Sequence, residues 1–161
     1  MMRLYETGYT TGVFDMFHVG HLNILRRSKE HCRKLIVGVS TDELVLQYKH
    51  KLPIVHLDDR IEIVRAIRYV DEVVVQSDMD KFKAWEKLRF NVIFHGDDWQ
   101  GSELYTETER RLKLVNVDTV FLPHTEGVST TILTEVIISK GRLLADMNNS
   151  APPGNIRSTV M

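Results

Sequence analysis

Two short runs, LIVGVS at residues 35–40 and EVVVQ at residues 72–76, constrain this chain more than any other feature in it. Neither alternates apolar with polar residues, so each strand must be covered on both faces. Further strand candidates lie at Leu4–Thr11, Val92–His95 and Thr119–Leu122, beside Leu35–Ser40 and Glu72–Gln76. Amphipathic stretches separate them at His21–His31, Asp58–Tyr69, Lys81–Arg89 and Leu104–Leu114, and a last one spans Thr130–Arg142. This βαβα order predicts an α/β fold, a single-domain doubly wound parallel sheet. Ligands of such sheets sit at the carboxyl ends of the strands, where the strand order reverses.

The chain of 161 residues has the length of one domain. Its 21 basic and 22 acidic side chains leave a net charge of −1, which creates no field for nucleic acid or a membrane surface. The single cysteine, Cys32, excludes an internal disulfide framework and is read as part of a charged first helix. The start, MMRLYETG, is too polar for a signal peptide, and no apolar run approaches spanning length. The expectation is therefore a cytoplasmic protein with no nucleic-acid or membrane partner. It would have a folded domain over residues 1–144 and a disordered tail over residues 145–161, rich in Pro, Asn and Ser.

The stretch TTGVFDMFHVGH places two histidines at the point where the first strand gives way to a helix. His18 and His21, three residues apart, can project from one helix face. Free amide N–H groups at a helix start form an anion site, and two imidazole donors beside them suit a phosphate. The helix dipole disfavours permanent positive charge there, so the histidines serve best as neutral donors. Gly12 is expected to let the turn bend, and Gly20 to let a ligand approach the backbone. On the pair alone, a capping histidine or a metal-binding pair remains an alternative.

The whole stretch GVFDMFHVGH resembles the signature of the nucleotidylyltransferase superfamily. RYVDEV at 68–73, GDDW at 96–99 and TEGVSTT at 125–131 resemble its cytidylyltransferase branch, most of all the enzymes that act on glycerol 3-phosphate. The resemblance runs from Thr7 to Ile138. It implies a Rossmann-like fold, a homodimer, and CTP carrying Mg²⁺. It also implies attack by the phosphate of a small phosphorylated alcohol on the α-phosphorus of CTP, with loss of pyrophosphate.

The same resemblance assigns roles along the chain. His18 and His21 contact the triphosphate. Val13 and Phe14 form the backbone turn over the nucleotide, and Asp15 orients that turn. In QYKHKLPIVHLDDR, Lys51 meets the CTP phosphates, while Lys49 and then Arg60 serve the acceptor. Arg68 is either an acceptor ligand or half of a structural pair with Asp71, and Lys81 lies where the family keeps an acceptor lysine. Asp98 accepts the cytosine amino group, a contact that uracil could not make. Trp99 walls the site or belongs to the core. Thr125, Gly127, Ser129, Thr130 and Thr131 direct amides and hydroxyls at the β- and γ-phosphates; on the residues alone, one hydroxyl is simply a helix cap.

Two departures stand out. His124 occupies the place of an arginine, and a histidine is neither a permanent nor a forked cation. Val13 replaces a threonine, which matters less if that position acts through its backbone. The rival readings are an adenylyltransferase of the same superfamily and a nucleotide-binding module that has lost catalysis. The lack of GxGxxG after the first strand and of GxxxxGK[ST] argues against a dinucleotide oxidoreductase and a P-loop NTPase.

Overall fold

A computed structural model describes residues 4–149. In chain order the elements are β1 (Tyr5–Gly12), α1 (Val19–Glu30), β2 (Cys32–Ser40), α2 (Asp42–Lys49) and α3 (Leu57–Arg65). Then come β3 (Glu72–Gln76), α4 (Lys81–Leu88), β4 (Val92–Gly96), α5 (Glu103–Lys113), β5 (Asp118–Leu122) and α6 (Thr130–Asn149). Asp97–Trp99 form one 3-10 turn after β4; the Trp99 side chain lies outside the described residues. The strands pair in parallel in the order β3-β2-β1-β4-β5. The order therefore reverses between β1 and β4, as a doubly wound sheet requires.

Alternate residues of the same strands feed two cores. Leu35, Val37 and Val39 of β2 join Leu25 of α1, Val64 of α3 and Phe94. Ile36 points the other way and joins Tyr9, Ile93 and Leu112, with Phe82 and Trp85 of α4 packed on them. Burial on both faces explains why LIVGVS in β2 shows no polar alternation, whereas β3 at the sheet edge leaves Val75 56% exposed.

The chain forms two compact units, Met1–Val128 and Ser129–Met161. The first holds the sheet and α1–α5. In the second, α6 continues to Asn149, so residues 145–149 of the expected tail are helical; the rest of that tail lies outside the described residues. Cys32 opens β2 and is 2% exposed; it does not belong to the first helix. Helix α2, not expected, starts where Thr41 Oγ1 accepts the Leu44 N–H at 3.1 Å. Helix α3 stops at Arg65, short of Tyr69, because the chain must turn into β3. Among the described residues no helix is long and apolar enough to cross a membrane.

Candidate active site

The turn between β1 and α1 lies beside the strand-order reversal. Phe14 and Met16 hold φ values of 55° and 48°, a left-handed conformation that costs non-glycine residues energy and that concentrates at functional sites. Phe14 is buried, and a Cβ on Gly12 would sit 3.1 Å from its ring. Gly12 thus makes room for Phe14; its φ is not positive. Asp15, 7% exposed, accepts the N–H groups of Ile54 and Val55, each at 2.9 Å. Its carboxylate ties the loop beyond Lys51 to the turn.

His18 is the N-cap of α1. Its Nδ1 accepts the Gly20 N–H at 3.1 Å, while its own N–H donates to His21 Nδ1 at 3.4 Å. The two rings stack with centroids 3.8 Å apart. Since each Nδ1 accepts from the backbone, each neutral ring carries its proton on Nε2. The pair therefore offers two N–H donors. Burial lowers the pKa of His18, and pushes that of His21 down to about 3, with His18 adding to the effect and Asp15 opposing it. Both shifts favour the neutral form of the rings.

Gly20 has a different purpose from the one expected. A Cβ there would lie 2.8 Å from His18 Cε1 and 2.9 Å from Nδ1. The space belongs to the His18 ring.

Lys49 ends α2, and the left-handed His50 caps the helix behind it. Its ammonium lies 5.7 Å from the Tyr48 ring centroid. Partial burial and Lys51 lower its pKa, against Asp15 and Asp98. Lys49 also acts on His21. The fields of His21, Asp15, Lys49, Lys51 and Asp98 thus overlap, although they come from three separate stretches of chain.

Arg60 has the opposite placement from that of an acceptor ligand. It is 0% exposed: Nε donates to Val55 O at 2.9 Å, and Nη1 to Val13 O at 2.6 Å and Ser40 O at 2.9 Å. Nη2 pairs with Asp42. Arg60 positions the Val13 turn from within and has no open face for a substrate.

Arg68 is exposed, with its guanidinium 5.5 Å from the Tyr69 ring centroid. Asp71 does not pair with it, and instead takes the Leu35 N–H and the Lys29 ammonium, both at 2.6 Å. Lys81 opens α4 and is 3% exposed; burial lowers its pKa to about 8, against Asp78 and Asp80.

Asp98 is exposed in the turn after β4. Asp97 beside it accepts both the backbone N–H of His124 at 3.2 Å and its Nδ1–H at 2.8 Å. This pairing raises the His124 pKa and lowers that of Asp97. Thr125 Oγ1 accepts from Asn23 Nδ2 of α1 at 2.9 Å, and Arg27 of the same helix binds Pro123 O. Gly127 adopts φ 77°, where a side chain would be strained. In the second unit, Ser129 Oγ accepts the Ile132 N–H at 3.1 Å, so it caps α6, with Thr130 and Thr131 opening the helix.

Sequence reasoning passed over Asn23, which ties α1 to the TEG loop, and His95, buried at 3% exposure just before GDDW. Its place at a strand's carboxyl end was the available signal.

The family model described as cytidylyltransferase-like matches residues 9–136. Glycerol-3-phosphate cytidylyltransferase of Bacillus subtilis is 37% identical over 135 residues, which is 80% of this chain and 94% of that protein. FAD synthase of Pyrococcus abyssi is 39% identical over 115 residues, 70% of this chain and 77% of that one. Among solved structures, a lipopolysaccharide core biosynthesis protein from Thermoplasma volcanium superposes with a TM-score of 0.63 at 23% identity, covering 75% of this chain and 97% of that one. That likeness supports the fold. A match over most of the chain, joined to the histidine turn it contains, places this protein in the cytidylyltransferase-like family.

Proposed function

We propose that this protein transfers CMP from CTP to a phosphorylated alcohol, with glycerol 3-phosphate as the acceptor, and releases pyrophosphate. The observation that carries the reading is the stacked His18–His21 pair, whose Nδ1 atoms face backbone N–H groups and so leave Nε2–H as the donors. Neutral donors suit a polyphosphate: they stabilise charge that grows on phosphate oxygens without resisting the helix dipole. An acceptor phosphate oxygen attacks the α-phosphorus, and the bond to the β-phosphate oxygen breaks. No side-chain nucleophile is needed, so catalysis is positioning plus electrostatics.

Lys51 would bind the CTP phosphates and Lys49 the acceptor phosphate, and Asp98 would accept the cytosine amino group. Among the described residues no cluster of three or more His, Cys, Asp or Glu could hold a metal ion. Mg²⁺ would arrive with the triphosphate. We also infer a homodimer in the cytoplasm.

The FAD synthase relatives support a second reading, adenylyl transfer. Pyrophosphate release measured with CTP and with ATP, each with Mg²⁺ and glycerol 3-phosphate, separates the two. Turnover with CTP that stops in excess chelator is the expected result; turnover with ATP alone would refute the cytidylyl reading.

A further inference from the structure

Three successive residues of the loop after β5 are each held by a side chain from elsewhere in the first unit. Arg27 of α1 binds Pro123 O. Asp97 Oδ1 takes the His124 N–H at 3.2 Å and its Nδ1–H at 2.8 Å. Asn23 of α1 donates from Nδ2 to Thr125 Oγ1 at 2.9 Å. Asn23 and Arg27 lie one turn apart, so both of their contacts come from a single face of α1. The loop also reaches the histidine turn. A Cβ on Gly20 would lie 2.8 Å from His18 Cε1 and 3.5 Å from Val128 Cγ1, so Val128 and the His18 ring flank the same glycine.

The Asn23 contact has a fixed direction. Arg26 Nη2 donates to Asn23 Oδ1 at 3.1 Å, and a guanidinium can only donate. The amide oxygen therefore faces Arg26, and the amide N–H₂ faces Thr125. A hydroxyl has one proton to give and two lone pairs with which to accept. Since Asn23 occupies a lone pair, the Thr125 proton points elsewhere. Among the described residues the hydroxyl has no second partner. The histidines follow the same rule: each Nδ1 accepts from a backbone N–H, and Nε2–H is left to donate.

We propose that Asn23 is a positioning residue for the nucleotide: it holds Thr125 Oγ1 as its acceptor and so presents the Thr125 O–H, with the Nε2–H groups of His18 and His21, as a third neutral donor to the triphosphate. The proposal rests on the cytidylyltransferase reading. A hydroxyl brings no charge of its own, so it adds to the donors at the start of α1 without opposing the helix dipole. A donor whose direction is already set needs no reorganisation as charge grows on the phosphate oxygens. Arg26 acts one step further out, by selecting which end of the amide meets Thr125.

The test is pyrophosphate release from CTP with Mg²⁺ and glycerol 3-phosphate, each substrate varied in turn. Thr125→Val should lower kcat/KM for CTP by about 10-fold or more and leave KM for glycerol 3-phosphate within about twofold. If Thr125→Val does not fold, Thr125→Ala serves in its place. Asn23→Ala frees the hydroxyl without removing it and should lose a smaller factor. Asn23→Asp decides the matter. A carboxylate still accepts from Arg26, but it can only accept from Thr125, so it keeps the tie and takes the proton away from the triphosphate. It should lose as much as Thr125→Val and more than Asn23→Ala, with Tm within about 3 °C of wild type. In the Thr125→Val background there is no proton to take, and Asn23→Asp should cost less than about twofold more. Asn23→Asp that outperforms Asn23→Ala would make Asn23 a structural tie. An undiminished Asn23→Asp loss in the Thr125→Val background would assign the effect to the added charge. Either result overturns the proposal, as does wild-type kcat/KM in Thr125→Val, and none of them touches the cytidylyltransferase reading. Wild-type protein that releases no pyrophosphate from CTP would overturn that reading, and the proposal with it.

Discussion

Gly20→Ala separates the architecture of the histidine turn from the stability of its helix. The added Cβ would lie 2.8 Å from His18 Cε1 and 2.9 Å from Nδ1, too close for the ring to stay. The ring would leave the Gly20 N–H that it now accepts at 3.1 Å. For stability, two effects oppose each other. Losing the cap costs about 1 kcal/mol. Alanine for glycine in a helix returns up to about 1 kcal/mol. The net is near zero, so Tm should move by no more than about 3 °C.

Catalysis has no such compensation. A displaced His18 loses both the contact that keeps its proton on Nε2 and the aim of that donor. One preorganised donor to developing charge contributes about 10²–10³ in kcat, so kcat should fall by about 10². The assay is continuous pyrophosphate release at saturating CTP and acceptor, with a thermal melt of the same preparations. Because Gly20→Ala and His18→Ala remove one donor between them, the double variant should lose little more than His18→Ala does. Turnover of Gly20→Ala within about threefold of wild type, or losses that multiply in the double variant, would refute this role for Gly20.

Three further changes test the surrounding contacts. Arg60→Met should destabilise the protein by about 3–5 kcal/mol and lower Tm by roughly 10 °C, because it strips a buried ion pair and three carbonyl contacts; a melt within about 2 °C of wild type would contradict that placement. The His124 pKa is raised in the folded protein, so its pairing with Asp97 contributes below about pH 6.5 and is lost as pH climbs through the raised folded value; Asp97→Asn should return the His124 midpoint in an NMR titration towards about 6.5, and an unmoved midpoint would remove Asp97 as the cause. Lys51→Ala should raise KM for CTP more than KM for the acceptor, and Lys49→Ala the reverse; equal effects on both substrates would reject that division.

The sheet is legible in this sequence because burial on both faces leaves a direct trace. Leu35–Ser40 of β2 shows this, buried throughout; Glu72–Gln76 is also read to the residue from EVVVQ and its flanking turns, although β3 is an edge strand with Val75 56% exposed. Helix α2 leaves a weaker trace: its eight residues follow β2 after Thr41 alone, and a span of two turns shows little periodicity. The histidine pair is legible as two donors at a helix start, but the choice of nitrogen depends on two backbone amides and a ring stack that only the folded turn creates. Cations are read least well. Arg60, Arg68 and Lys81 look alike in sequence, as basic residues near loops, yet one is sealed inside by hydrogen bonds, one is exposed and one is buried at the start of a helix. What separates Arg60 is a set of carbonyl acceptors on Val13, Ser40 and Val55, up to 47 residues away, and every residue type supplies a carbonyl. No side-chain pattern can report them. A charged residue in a motif therefore indicates the chemistry available near the site, and the backbone around it determines whether that charge reaches a substrate or holds the turn that does.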